Sequence, residues 1–281
     1  MIASQPNLKG KVCAMTGGAG VIGTALVKGL AQAGVRTAIL DLAKDAADGL
    51  AAKVKQETGV ETIGVQADVL DRASLLKARD EVARRLGPLD ILINGAGGNS
   101  PKATTQVETL TPDNLDRLPQ SFYGLDLDGF RKVFDLNFLG TVLPTMVLTQ
   151  DMVGRGGIVL NISSMNSFRP LTKIPAYSAA KASINNFTEW LAVHLAKVNI
   201  RVNAIAPGFF LTSQNRFLLT DEKTGKLTPR GEKIIAGTPM GRFGEPDELV
   251  GTVLYLVSDS SKFVTGVIIP VDGGFNAYAG V

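Results

Sequence analysis

A tyrosine, Tyr177, stands four residues before a lysine, Lys181, thirteen after a serine, Ser164, and forty after an asparagine, Asn137. These residue types can run a reversible alcohol oxidation or ketone reduction without metal or histidine. The phenol exchanges the proton, the hydroxyl hydrogen-bonds the reacting oxygen, and the ammonium stabilises a phenolate. The four-residue interval puts Tyr177 and Lys181 on one helix face, so the ammonium is expected to draw down a phenol pKa that is ordinarily about 10. Pro175 just ahead places Tyr177 in the first helical turn, where the positive end of the helix dipole also favours a phenolate. Alone, Y-x-x-x-K is a weak pattern, most often a solvated helix face. Its weight comes from what precedes it.

Hydride chemistry needs a dinucleotide, and the chain has a place for one. The string Thr16-Gly-Gly-Ala-Gly-Val-Ile-Gly23 follows an apolar run and opens a helical one. Read from Gly18 it fits G-x-G-x-x-G, whose glycines permit a tight turn, close backbone approach to a pyrophosphate and helix-strand packing. Gly17, Ala19, Gly20, Val21, Ile22 and Gly23 are the expected cofactor contacts there. Asp41 ends the second apolar run eighteen residues after Gly23, near the interval expected of a carboxylate that binds a ribose 2′-hydroxyl. It would repel a 2′-phosphate, and Leu42 stands where an arginine would be needed to rescue one, so NAD is favoured over NADP. Asp68 with Val69, and the turn Asn94-Gly95-Ala96-Gly97, follow the third and fourth runs at the same edge. They can line an adenosine pocket or serve as turns and caps.

Short apolar runs alternate with helix-period segments, the pattern of parallel strands joined by crossover helices. Strands are expected at 11–15, 36–40, 62–67, 89–93, 157–162, 201–206 and 267–271, and helices at 22–33, 46–57, 72–86, 128–153, 176–198 and 246–257. Several strands are apolar on both faces, as a sheet covered on both sides requires. The expectation is one α/β domain over 1–281, a Rossmann-type doubly wound, seven-stranded parallel sheet. Two excursions interrupt it, 99–127 and 209–243, and both are candidate rims of an active site.

Composition narrows the function classes. Lys and Arg total 29 against 26 Asp and Glu, a net charge of +3 with no basic cluster to hold nucleic acid. One cysteine, Cys13, and one histidine, His194, are too few for a disulfide or a His/Cys metal site. Cys13 reads as a small core residue and His194 as a structural residue on the Tyr177 helix. No apolar run reaches about 18 residues, and the first ten residues lack an apolar signal region, so a cytoplasmic protein without membrane attachment is expected.

With these motifs in order, the chain resembles the short-chain dehydrogenase/reductase family over nearly its whole length. The family's T-G-x-x-x-G-x-G is matched by Thr16, Gly17 and Gly23, with Val21 in place of the middle glycine and Gly20 one position earlier. Its N-N-A-G is Asn94-Gly95-Ala96-Gly97, so a side-chain contact at Gly95 is lost. The resemblance implies that Tyr177 is the proton donor or acceptor and that Ser164, rather than Ser163, binds the carbonyl. It also implies that Lys181 binds the nicotinamide ribose and lowers the tyrosine pKa, and that Asn137 holds a water in a proton relay. Pro207, Gly208 and Thr212 match the segment that holds the nicotinamide carboxamide. The implied cofactor is NAD, the implied assembly a homotetramer.

The run 164–177, the 94–99 turn and the 99–127 insertion resemble a bacterial subgroup, the D-mannonate oxidoreductases or fructuronate reductases. A sugar acid needs a cation for its carboxylate, which Arg169, Lys173, Lys102 or Arg216 could supply, while Asn99, Asn166 and Gln214 could bind hydroxyls. The alternative within the family is a gluconate 5-dehydrogenase or another polyol or keto-sugar reductase. A different class, a dinucleotide-binding sensor without catalysis, is opposed by the intact Asn137, Ser164, Tyr177 and Lys181.

Overall fold

Alternate residues of each strand feed opposite cores, and that alternation builds the sheet. In β1 (Val12–Thr16), Cys13 and Met15 face one apolar cluster while Val12 and Ala14 face the other. In β4 (Ile91–Asn94), Ile91 and Ile93 join the first cluster and Leu92 the second. Burial on both faces is what a parallel sheet covered by helices demands. It also pushes the Cys13 thiol far up and leaves it an inert filler.

The computed structural model describes residues 7–211, 219–221 and 224–280. The other strands are β2 (Arg36–Asp41), β3 (Thr62–Gln66), β5 (Gly157–Ile162), β6 (Ile200–Pro207) and β7 (Ile268–Val271). All seven lie in one sheet of order β3-β2-β1-β4-β5-β6-β7, and every pairing is parallel. The seven expected strands are present, with ends shifted by at most two residues. Helices α1 (Val21–Gln32) and α2 (Lys44–Thr58) supply the first core, and α3 (Arg72–Leu86) the second. Strand order reverses between β1 and β4, and a crevice opens beyond the carboxyl ends of such strands.

Three expected helices are not as the periodicity drew them. The segment 128–153 breaks into α4 (Leu127–Phe134), a π-turn over Asp135–Leu139, and α5 (Gly140–Leu148). The segment 176–198 is α6 (Pro175–Leu195) with a closing 3₁₀ turn, and 246–257 opens with a 3₁₀ turn over Pro246–Leu249. The excursion 209–243 contains a helix that the hydrophobic pattern did not announce, α7 (Pro229–Ala236), capped by the Thr228 hydroxyl and started by Pro229. The last helix is α8 (Val250–Leu256), and the 99–127 excursion is built largely of 3₁₀ turns. Among the described residues no helix is long and apolar enough to cross a membrane.

Candidate active site

Thr16 and Asn94 are register partners at the carboxyl ends of β1 and β4, so the turns that follow them meet at the switch point. One hydroxyl ties the turns together. Thr16 Oγ1 accepts from Gly95 N at 3.1 Å and from Ala96 N at 3.2 Å. Gly17 then turns with φ +63°, and a Cβ there would lie 2.8 Å from Ala96 Cα, so only glycine fits. A Cβ on Gly23 would lie 2.6 Å from the Gly18 carbonyl oxygen, so Gly23 lets α1 pack down on the turn that precedes it.

A cleft of about 560 Å³ opens here. Gly17, Gly20, Val21, Ile22 and Gly23 form one wall, and Gly95, Ala96, Gly97, Leu136, Tyr177 and Gly208 another. Asp41, Leu42, Asp68 and Val69 close one end, beside Leu40 and Ala67. Gly20 caps α1 without any side-chain hydrogen bond, and the first intrahelical bond runs from Thr24 N to Gly20 O. The first-turn amides of Val21, Ile22 and Gly23 therefore precede the helical ladder and sit in the cleft wall, as a pyrophosphate site requires. The Asp41 carboxylate accepts from Ala19 N at 3.2 Å and Ala43 N at 3.1 Å, which fixes a negative charge at the end of β2. Leu42 beside it is 67% exposed. These residues fit the adenosine and pyrophosphate of a dinucleotide.

A smaller chamber of about 200 Å³ continues inward, lined by Ser163, Ser164, Tyr177, Lys181, Pro207 and Gly208 among others. Ser164, two residues past the end of β5 in extended backbone, caps the 3₁₀ turn Met165–Ser167, its Oγ accepting from Asn166 N at 3.2 Å. Pro175 is the first residue of α6, so Tyr177 does sit in the first turn. Ser164 and Tyr177 line this chamber together. Lys181, 4% exposed, reaches under the tyrosine with Nζ 5.5 Å from its ring centroid and donates to Ile162 O at 2.8 Å.

The electrostatics differ from the simple expectation. Desolvation raises the Tyr177 phenol above its ordinary value, and the Ser164 hydroxyl is what opposes the rise. Burial also lowers Lys181 to about 8, because an ammonium away from water is costly. Lys181 thus remains mainly an ammonium at neutral pH, while desolvation outweighs the groups that would draw the phenol down.

Asn137 stands in the π-turn, fully buried, above the chamber. Its Nδ2 donates to Gly98 O and Val133 O, both at 2.7 Å, and its own carbonyl accepts from Thr141 Oγ1 at 2.9 Å. Asn94 points away from the cleft, into the sheet interior, and donates to Thr145 Oγ1 and Asn161 Oδ1, both at 2.9 Å.

The candidates for substrate contact are more scattered. None of Asn99, Lys102, Asn166, Arg169 and Lys173 lines the cleft or the chamber. Asn99 donates to Thr104 Oγ1, Lys102 and Arg169 are exposed, and Asn166 is buried with its Oδ1 unpaired among the described residues. The Lys173 carbonyl accepts from Thr105 N, and Lys173 is one of the cations that hold the Glu108 carboxyl low, after Lys233. Thr212, Gln214 and Arg216 lie outside the described residues. Cleft-wall residues that sequence reasoning passed over are Leu40, Ala67, Leu136, Phe209 and Phe210, and Thr16 was read as part of the glycine motif but not as the tie between the two turns. Thr16 was legible as the residue ending β1 just before the glycines.

Comparison with known proteins places this geometry. Residues 17–276 match a family model described as Enoyl-(Acyl carrier protein) reductase, of the short-chain dehydrogenase type. An uncharacterized oxidoreductase of Haemophilus influenzae is 50% identical over 282 residues, spanning 100% of this chain and 98% of that protein. A Haemophilus crystal structure, provisionally assigned as a D-mannonate oxidoreductase and holding NAD, superposes with a TM-score of 0.93 at 49% identity, with 98% of each chain covered. A gluconate 5-dehydrogenase from Burkholderia cenocepacia, in complex with NADP and tartrate, gives 0.80 at 29% identity, covering 96% of this chain and 97% of that one. With the Rossmann-type sheet, the glycine turn and the serine–tyrosine–lysine chamber in sequence order, the chain belongs to the short-chain dehydrogenase/reductase family and is an oxidoreductase.

Proposed function

We propose that the chain uses NAD to interconvert a secondary alcohol and its ketone, and that the pair is D-mannonate and D-fructuronate. The observation that carries the reaction class is the convergence of Ser164, Tyr177 and Lys181 on one small chamber that opens into a dinucleotide-sized cleft. The fixed carboxylate of Asp41, with Leu42 rather than a cation beside it, supports NAD. The NAD held by the similar Haemophilus structure supports it too.

A nicotinamide bound in the cleft supplies or removes the hydride. The chain's own residues do the rest. In the reducing direction Ser164 Oγ and Tyr177 Oη hydrogen-bond the ketone oxygen, and Tyr177 gives its proton to that oxygen as negative charge develops there. In the oxidising direction Tyr177 takes the hydroxyl proton. Lys181 stabilises the phenolate left in reduction, and a water held by Asn137 links Lys181 to the solvent that returns the proton.

The sugar-acid reading draws support from Arg169 and Lys173, which lie between the two catalytic hydroxyls in sequence, and from the similarity to the provisionally assigned D-mannonate oxidoreductase. At least one of Arg169, Lys173 and Arg216 grips the carboxylate. NADH formation from NAD and D-mannonate, with D-gluconate and a neutral polyol in parallel, tests the reading. Saturable turnover confined to D-mannonate is expected. Turnover of gluconate alone would keep the chemistry and move the substrate toward that of the Burkholderia relative.

We further propose a homotetramer. Trp190, Val193 and Met146 are 57%, 80% and 54% exposed on α6 and α5, and Trp190 stacks between Phe187 and His194 in an uncovered aromatic row. Light scattering of the purified protein gives the mass directly.

A further inference from the structure

Helix α6 carries a third polar side chain in line with Tyr177 and Lys181. Asn185 follows at the same four-residue interval, so the three share a face. Its amide spans Ser163, just before Ser164, and Ser167, the last residue of the turn that Ser164 caps. Ser163 Oγ donates to Asn185 Oδ1 at 2.5 Å, and Asn185 Nδ2 donates to Ser167 Oγ at 2.8 Å. Ser167 Oγ in turn donates to the Ser164 carbonyl at 2.6 Å, and Ser163 Oγ also reaches the Lys181 carbonyl at 3.4 Å. The Ser164 backbone is thus tied on both sides to the helix that presents Tyr177.

The fold does not depend on this clasp. Ser163 N already donates to Ile205 O at 2.8 Å in continuation of the sheet, and α6 packs through fully buried Ala180, Ile184 and Thr188. Asn185 itself is half-buried, so a replacement side chain can reach solvent. An amide is also the fitting group, because one atom must accept from Ser163 while the other donates to Ser167. A carboxylate would fill only the first role.

We propose that Asn185 is a positioning residue for the reaction: its amide fixes Ser163 and Ser167 against α6 and so sets the placement of the Ser164 hydroxyl relative to the Tyr177 hydroxyl. This rests on the assignment of Ser164 and Tyr177 as the pair that holds the substrate oxygen. Both hydroxyls must meet one oxygen, and a displacement of about 1 Å in such a constellation costs on the order of 10²-fold in rate.

The test compares Asn185→Leu and Asn185→Asp with Ser164→Ala and Tyr177→Phe in the full-length protein. Steady-state turnover, NAD affinity and thermal melting are measured on each, together with the ultraviolet titration of Tyr177 phenolate. The titration is taken as the difference from Tyr177→Phe, which isolates one of the four tyrosines and needs no substrate. Asn185→Leu is expected to lose about 10²-fold in kcat with NAD affinity and melting near those of wild type. Its Tyr177 titration is expected to move to higher pH, as in Ser164→Ala, because the Ser164 hydroxyl is what holds the phenol down. Asn185→Asp, which keeps the bond from Ser163 alone, falls between. A wild-type kcat and an unmoved titration in Asn185→Leu would overturn the proposal. So would a loss of kcat that merely follows a loss of melting temperature, with the Tyr177 titration in place. Retained activity in Tyr177→Phe would instead overturn the assignment on which it rests. If no substrate turns over, the titration alone decides.

Discussion

Asn137 and Gly98 hold each other through two hydrogen bonds: Asn137 Oδ1 accepts from Gly98 N at 3.2 Å and Asn137 Nδ2 donates to Gly98 O at 2.7 Å. The pair pins the turn after β4 to the helix break between α4 and α5. Asn137→Leu keeps the volume and strips both partners from Gly98. Leaving such groups unpaired away from water costs about 1–3 kcal/mol each, and half-burial at Gly98 puts the expected loss at the low end. Thermal melting should show a drop of a few degrees, together with weaker NAD binding, because Gly97 and Ala96 line the cleft.

Tyr177→Phe removes one hydroxyl and leaves the ring. Positioned proton transfer contributes about 10²–10⁴-fold, so turnover should fall by at least that much in both directions while NADH still binds within a factor of about three, less than the 1.4 kcal/mol of a tenfold change. Steady-state rates and NADH fluorescence check the two halves separately. Turnover above a few per cent of wild type would remove Tyr177 from the reaction.

The two directions of reaction should answer pH oppositely. Alcohol oxidation needs the phenolate, so it rises as pH climbs toward the elevated Tyr177 value; ketone reduction needs the phenol and is retained until that value is passed. Lys181 adds a stability signature. Its ammonium is lost near pH 8 in the folded chain and near 10.5 when unfolded, so between those values the unfolded chain binds more protons. Its contribution therefore makes stability rise with pH across that window. Melting curves of wild type and Lys181→Met should converge as pH increases from 8 to 10.5.

Asp41 should govern the choice of cofactor. Asp41→Ser with Leu42→Arg removes the fixed carboxylate and supplies a planar cation for a 2′-phosphate. The ratio of kcat/KM for NAD over NADP should fall by at least tenfold, about 1.4 kcal/mol. An unchanged ratio would place the ribose away from β2.

Much of this architecture is legible in the chain because burial on both faces writes strands as uninterrupted apolar runs, as in Ile91-Leu-Ile-Asn94. Asp41 and the 16–23 string were readable for the same reason, since their meaning depends only on standing at strand ends. The break at Asp135–Leu139 was not legible. The apolar pattern runs straight through it, and Asn137 is committed to Gly98, thirty-nine residues earlier. Helix α7 left a cap signal, Thr228-Pro229, but only an eight-residue pattern behind it. Asn185 sits at a readable interval from Tyr177, yet its partners, Ser163 and Ser167, are fixed by where β5 ends against α6. The shift of Tyr177 above its ordinary value also escapes the i, i+4 argument, which counts the nearby charge and omits desolvation.

The contact between Gly17 and Ala96 bears on calorimetry. With Thr16 Oγ1 bonded to both amides of the facing turn, the two walls of the cleft are joined before any ligand arrives. Binding then orders little polypeptide, and the heat-capacity change should report mainly the apolar surface that the ligand itself covers. Isothermal titration with NAD at several temperatures should give a modest negative slope, far from the large one that accompanies coupled folding. A Gly17→Ala chain, which must part the walls to fit a methyl group, should lose that economy and show binding heats that vary steeply with temperature.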